Sequence, residues 1–208
     1  MKLNEKINVY NMDCMEFMKD IQDNYYDLAI VDPPYGIKSQ NDKRQLSRYG
    51  QNSFTEKPTQ QYFNELFRIT KNVIIWGANN FTLPETEYFI VWDKMQTVDN
   101  FASAEYAWTN CKMPAKVFRY AIHKEMQTRK KNGGKIHPTQ KPIKLYEWLL
   151  DNYAKPDYKI LDTHLGSGSS AIAAHYFNCE FDGIELDKDY FNAMVDMFKE
   201  NTQQTKLF

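Results

Sequence analysis

The amino-acid sequence predicts an α/β fold, a mostly parallel sheet with helices on both faces. Three observations carry this. Short apolar runs alternate with longer amphipathic ones along the chain. Tyr26-Asp27-Leu28-Ala29-Ile30-Val31 is a near-continuous apolar run, the pattern of a strand covered on both sides. Lys159-Ile160-Leu161-Asp162-Thr163-His164-Leu165-Gly166-Ser167-Gly168-Ser169 reads as strand, tight glycine turn and helix start.

The predicted strands are Ile7–Tyr10, Asp27–Val31, Val73–Trp76, Phe89–Trp92, Lys159–Asp162 and Glu180–Glu185. The predicted helices are Cys14–Ile21, Gln60–Thr70, Ile143–Tyr153, Ser169–Phe177 and Lys188–Glu200. In Ile143–Tyr153, the residues Leu145, Trp148, Leu149 and, more loosely, Tyr153 share a stripe, and Pro142 precedes it where a missing N–H costs nothing. Asp187 is placed to cap the last helix. Two segments break the alternation: residues 36–58, polar and basic, and residues 95–140, mixed and containing Arg129-Lys130-Lys131-Asn132-Gly133-Gly134-Lys135. Irregular stretches this long in a compact domain usually carry function, so both read as insertions in a single domain spanning 1–208.

Composition bounds the rest. The 26 basic and 27 acidic residues leave a net charge of −1, which excludes nucleic-acid binding by bulk charge. The charge is nevertheless polarised. Residues 112–141 carry nine Lys/Arg against one acidic residue, and 38–57 carry five against two, leaving the other 158 residues at −12. No apolar run reaches the ~18 residues a bilayer span needs, and the N-terminus shows no apolar targeting core. Cys14, Cys111 and Cys179 are far apart and form no CxxC pair, which argues against a disulfide framework or a cysteine-rich zinc site and for reduced thiols in a cytoplasmic protein.

In the glycine turn, Gly166 and Gly168 permit positive φ and close approach of a ligand to the backbone, and the helix that follows presents free N–H groups. No Gly-Lys-Ser/Thr follows, so it is not a P-loop, and Ala171 stands where a dinucleotide fingerprint needs its third glycine. Glu185, 19 residues after Gly166, ends the next strand where a carboxylate can take two ribose hydroxyls. A purely structural turn is the competing reading.

Asp32-Pro33-Pro34-Tyr35 follows the strand Asp27–Val31 directly. Two prolines stiffen the backbone past the strand end and remove two donors. In an open α/β sheet this is the edge where ligands bind. A carboxylate, a fixed carbonyl and an aromatic ring then stand within four residues. Asp32 and the Pro33 carbonyl can accept both N–H bonds of an exocyclic base amine while Tyr35 stacks on the ring. Such acceptors favour a pyramidal nitrogen aimed at an electrophile. A capped strand end with a surface tyrosine is the alternative.

These residues resemble a family. Asp32-Pro33-Pro34-Tyr35-Gly36, with Asp162-x-x-x-Gly166-x-Gly168 much later, is similar to the amino-group DNA methyltransferases that use S-adenosylmethionine, in the permuted β-type order. Ile136-His137-Pro138-Thr139-Gln140-Lys141-Pro142, Asn11-Met12-Asp13-Cys14 and Val73-Ile74-Ile75-Trp76-Gly77-Ala78-Asn79-Asn80 also resemble family segments. The resemblance runs from about Ile7 to Phe198. It implies a seven-stranded Rossmann-like fold with circularly permuted motifs. It implies Asp32, Pro33, Pro34 and Tyr35 around the target amine. Asp162 and the Gly166–Gly168 backbone would hold the methionine portion, Glu185 the ribose and Asp13 the adenine. Thr139 and Lys141 would lie near the cofactor carboxylate, although an exposed lysine at a helix start is an equal reading of Lys141. Asp32, Cys14, Leu165, Ser167, Ser169 and Leu186 would complete the cofactor site. Where the family commonly has Asp-Pro-Phe, this chain has Asp162-Thr163-His164. A stacking His164 would make cofactor binding weaker or more pH-sensitive between pH 5.5 and 8.

Asp at the first position of the tetrapeptide resembles the adenine-N6 enzymes more than the cytosine-N4 ones. A base in double-stranded DNA would have to be flipped out to reach the pocket. Lys38, Arg44, Arg48, Arg129, Lys130, Lys131 and Lys135 are the candidates for phosphate or base-edge contacts. So short a chain leaves little room for a separate specificity domain, so a short recognition site or a homodimer is expected. Cytosine-N4 methylation, methylation of a glutamine amide and a non-catalytic cofactor- or DNA-binding module are the alternatives.

Overall fold

In the computed structural model, residues 1–36, 56–97, 99, 102–121 and 140–203 are described. The strands are β1 (Ile7–Asn11), β2 (Tyr26–Val31), β3 (Thr70–Trp76), β4 (Phe89–Asp93), β5 (Ala104–Thr109), β6 (Lys116–Arg119), β7 (Lys159–Asp162) and β8 (Glu180–Glu185). The helices are α1 (Cys14–Lys19), α2 (Gln60–Ile69), α3 (Ile143–Tyr153), α4 (Ser169–Phe177) and α5 (Lys188–Thr202). All eight strands form one sheet in the order β1-β8-β7-β2-β3-β5-β4-β6. β5 pairs antiparallel with both β3 and β4, and every other neighbouring pair is parallel. β5 is therefore the single reversed strand.

The sheet residues alternate between two cores. Leu28 and Ile30 of β2 pack into the core that contains Leu145, Ile172 and Met194 of α3, α4 and α5. Ala29 and Val31, one step along, join Met18, Tyr62, Phe63 and Leu66 of α1 and α2. This two-sided burial is why β2 reads as a continuous apolar run. The helix starts follow from side-chain chemistry. Asp13 accepts from Met15 N at 2.8 Å and Glu16 N at 3.1 Å to start α1. Asp187 accepts from Asp189 N at 2.9 Å and Tyr190 N at 3.1 Å to start α5. α2 passes into β3 without a loop, and Thr70 Oγ1 caps the turn by donating to Leu66 O at 2.5 Å.

The six expected strands and five expected helices are present, with ends shifted by up to three residues. The described residues form eight strands, one more than the seven the resemblance implies. β5 and β6 both lie inside the segment 95–140. Both were hidden by weak patterning. β5 mixes polar and apolar residues because only its second half is buried, and β6 is a four-residue strand at the sheet edge with no fully buried side chain. Among the described residues no helix is long and apolar enough to cross a membrane.

Candidate active site

The topology dictates where a ligand can enter. The chain leaves β7 through α4 to β8 on one side, and leaves the adjacent β2 through α2 to β3 on the other. The two connections diverge and open a crevice at the carboxyl ends of β2 and β7. Asp32 follows β2 and Asp162 ends β7, so the two loops singled out in the sequence begin side by side at this point. Because β5 is reversed, its first residues lie at the same edge, beside the end of β4. That brings Glu105 and Lys94 to the crevice.

A chain of alternating charges lines one wall. Tyr35 Oη donates to Asp32 Oδ1, and Lys141 Nζ binds Asp32 Oδ2. The same ammonium lies 3.4 Å from Tyr35 Oη and 3.2 Å from Glu105 Oε2, and Lys94 Nζ lies 2.6 Å from Glu105 Oε1. Lys141 is only 4% exposed. Burial alone would push such an ammonium toward neutrality, but Asp32 and Glu105 hold its pKa well above the ordinary value. Glu105 is half-buried, and Lys141 and Lys94 outweigh its desolvation to hold it down at about 2. Burial pushes the Tyr35 hydroxyl up, so it stays a neutral donor.

The glycine loop forms the other wall. Asp162 is 1% exposed and accepts from His164 N at 3.0 Å and Ser170 Oγ at 2.6 Å. Burial raises it to about 7. Glu185, 8% exposed, accepts from Gly166 N at 2.8 Å and Asp187 N at 2.9 Å, and burial raises it too. These donors are all neutral, so both carboxylates suit a ligand that brings positive charge. S-adenosylmethionine carries such charge on its sulfonium and its ammonium, and the residues fit it. Gly166 and Gly168 stand at φ 52° and 77°, as a turn this tight requires. Ser169 Oγ donates to Lys141 O at 2.8 Å, which ties the two walls together.

Residues 26–196 match the family described as DNA methylase, N6_N4_Mtase. The chain belongs to this family. It is an S-adenosylmethionine-dependent DNA methyltransferase of the N6/N4 class. The Type II methyltransferase M2.MboI of Moraxella bovis is 25% identical over 97% of this chain and 91% of its own length. M.HinfI of Haemophilus influenzae is 23% identical over 95% of this chain and 70% of its own length. Among solved structures, the M1.HpyAVI–SAM complex superposes with a TM-score of 0.57 at 20% identity, covering 92% of this chain and 98% of that one. PvuII DNA methyltransferase, described as cytosine-N4-specific, superposes with a TM-score of 0.63 at 12% identity, covering 99% and 89%. Both likenesses concern the fold.

In this methyltransferase Asp32, Tyr35 and Lys141 are in mutual contact, and the Lys141 backbone joins the glycine loop. Leu165, Ser167 and Ser169 are buried in that loop, while Leu186 beyond Glu185 is 59% exposed. Asp13 uses one carboxylate oxygen for the α1 cap. Cys14, next to it, is a free thiol whose burial raises it to about 12, so it is inert. Thr139, Lys38, Arg44, Arg48, Arg129, Lys130, Lys131 and Lys135 lie outside the described residues.

His164 is half-buried, its Nδ1 lies 2.9 Å from Thr163 Oγ1, and desolvation pushes its pKa down to about 4, below the window expected for its pH sensitivity. Burial raises Asp162 to about 7, inside that window. Sequence reasoning missed Glu105, Lys94 and Tyr62. Tyr62 is buried on α2, and its hydroxyl lies 2.6 Å from Thr163 Oγ1, at the base of the glycine loop. Glu105 and Lys94 carry no motif; only strand pairing through the reversed β5 brings them here.

Proposed function

We propose that this methyltransferase acts on the N6 amino group of adenine in double-stranded DNA, after the base is flipped out. The observation that carries the reading is Asp32-Pro33-Pro34-Tyr35 at the mouth of the β2/β7 crevice, next to two buried carboxylates on the glycine loop. When bound, S-adenosylmethionine supplies an electrophilic methyl group. Asp162 takes its positive charge, Glu185 its ribose hydroxyls, and Asp13 its adenine.

Asp32 and the Pro33 carbonyl accept the two N–H bonds of the target amine, which draws the nitrogen lone pair out of conjugation and aims it across the crevice. Tyr35 presents its ring to the base. As the N–C bond forms, the cofactor's S–CH3 bond would break to leave a neutral thioether, and the amine would shed one proton, for which Asp32 is the first acceptor. The basic residues of 36–58 and 95–140 hold the flanking phosphates, which offsets the cost of flipping.

Asp rather than Ser at position 32 favours adenine over cytosine. The test is incubation with labelled S-adenosylmethionine and mixed unmethylated DNA, RNA and protein, followed by nucleoside mass spectrometry. N6-methyladenine that disappears in Asp32→Ala is the expected result. N4-methylcytosine would replace the adenine assignment with the cytosine one.

A further inference from the structure

Both oxygens of Asp32 are engaged within the protein, one by Tyr35 Oη and the other by the Lys141 ammonium. An ammonium donating to this carboxylate does what the N–H of an incoming amine would have to do. The base therefore does not meet an open acceptor; it must displace a buried cation. A cation this buried needs another anion to move to, because an unpaired charge there is strongly unfavourable. Glu105 is that anion. It lies 3.2 Å from the same ammonium and is held ionised, but half of it is claimed by Lys94 at 2.6 Å.

We infer that Lys141 is a charged plug in the amine pocket, that it exchanges from Asp32 to Glu105 when the base enters, and that Lys94 sets how readily it moves. Glu105 and Lys94 are then positioning residues, acting on the base through Lys141. This rests on the reading of Asp32 as the acceptor of the target amine.

The exchange predicts opposite signs for two neighbouring substitutions. Glu105→Gln removes the receiving charge, so Lys141 stays on Asp32. Lys94→Met removes the competing cation, whose Nζ also lies 5.1 Å from the Trp92 ring centroid, and keeps a side chain of similar length, so Glu105 draws Lys141 away more strongly. The experiment measures kcat and KM for unmethylated genomic DNA with tritiated S-adenosylmethionine, and the cofactor Kd by calorimetry as a check on folding.

The expected result is a fall in kcat/KM for DNA of about tenfold or more in Glu105→Gln and a rise of several-fold in Lys94→Met. Cofactor Kd stays within about twofold in both. The double variant Glu105→Gln with Lys141→Met regains a large part of the loss in KM, because the plug is gone. Should Glu105→Gln fail to fold, Lys94→Met still decides: a merely structural ion-pair network loses activity there. A loss in both single variants, or no change in either, overturns the exchange. Full methylation by Asp32→Ala overturns the underlying reading of the site instead, so the two failures are distinct.

Discussion

The Tyr35 ring lies directly on the α-carbon of Gly77. A β-carbon at Gly77 would sit 2.0 Å from Tyr35 Cε1 and 2.3 Å from Cζ, and the residue stands at φ 66°. The turn after β3 thus sets the position of the aromatic ring that follows β2. Gly77→Ala is expected to drive Tyr35 out of place and to strain the left-handed backbone by about 1–2 kcal/mol. Turnover should fall by about tenfold or more while cofactor affinity holds, read by methylation rates beside calorimetry. Unchanged turnover would mean that Tyr35 does not need this seat.

The acid–base behaviour of cofactor binding should belong to Asp162. Burial raises its folded pKa to about 7 from an ordinary 3.8, so it contributes stability that is present below 3.8 and lost as pH rises through 7. A cationic ligand favours the ionised form. Cofactor Kd is therefore expected to rise as pH falls below 7, by up to about tenfold per unit. Asp162→Asn should flatten that profile and stabilise the protein at pH 8 when no cofactor is added, whereas His164→Phe should leave the slope as it is. Titration calorimetry from pH 5.5 to 8 distinguishes the two residues.

Salt should reveal the hidden charge polarity. With eight basic residues in 112–140, the buried Lys141 set aside, and five in 38–57, DNA affinity is expected to fall by orders of magnitude between about 50 and 200 mM salt. Fluorescence anisotropy on duplex DNA measures this slope. A flat response would remove these segments from the DNA-binding surface.

A stability prediction lies away from the crevice. Tyr26 is fully buried in β2, and its hydroxyl donates to Asp182 Oδ2 at 2.8 Å, while Asn8 Nδ2 donates to Oδ1 at 3.0 Å. Tyr26→Phe leaves a buried carboxylate oxygen short of a donor and should cost about 1–3 kcal/mol in chemical denaturation. Cofactor binding should persist in the folded fraction.

The boundary between what is local and what is long-range runs through these residues. β2, the glycine turn and the start of α5 were legible because each follows from neighbours in the chain: an apolar run, two glycines at positive φ, a capping aspartate. The tetrapeptide and the loop could be read as two parts of one site because both follow strands, and strand ends share an edge in a parallel sheet. β5 and β6 were not legible, since a reversed strand and a short edge strand gain their stability from partners far away in sequence.

By itself, then, the sequence determined the fold class, the family and the two loops that face each other, because hydrophobic period, glycine freedom and proline stiffness act over a few residues. The tertiary structure alone decided that Lys141 closes on Asp32, that Glu105 and Lys94 stand behind it, and that burial shifts Asp162 toward neutrality and His164 away from it. Burial and ion pairing are sums over neighbours that meet only after the sheet has assembled, and a charge has no pKa shift until those neighbours are in place.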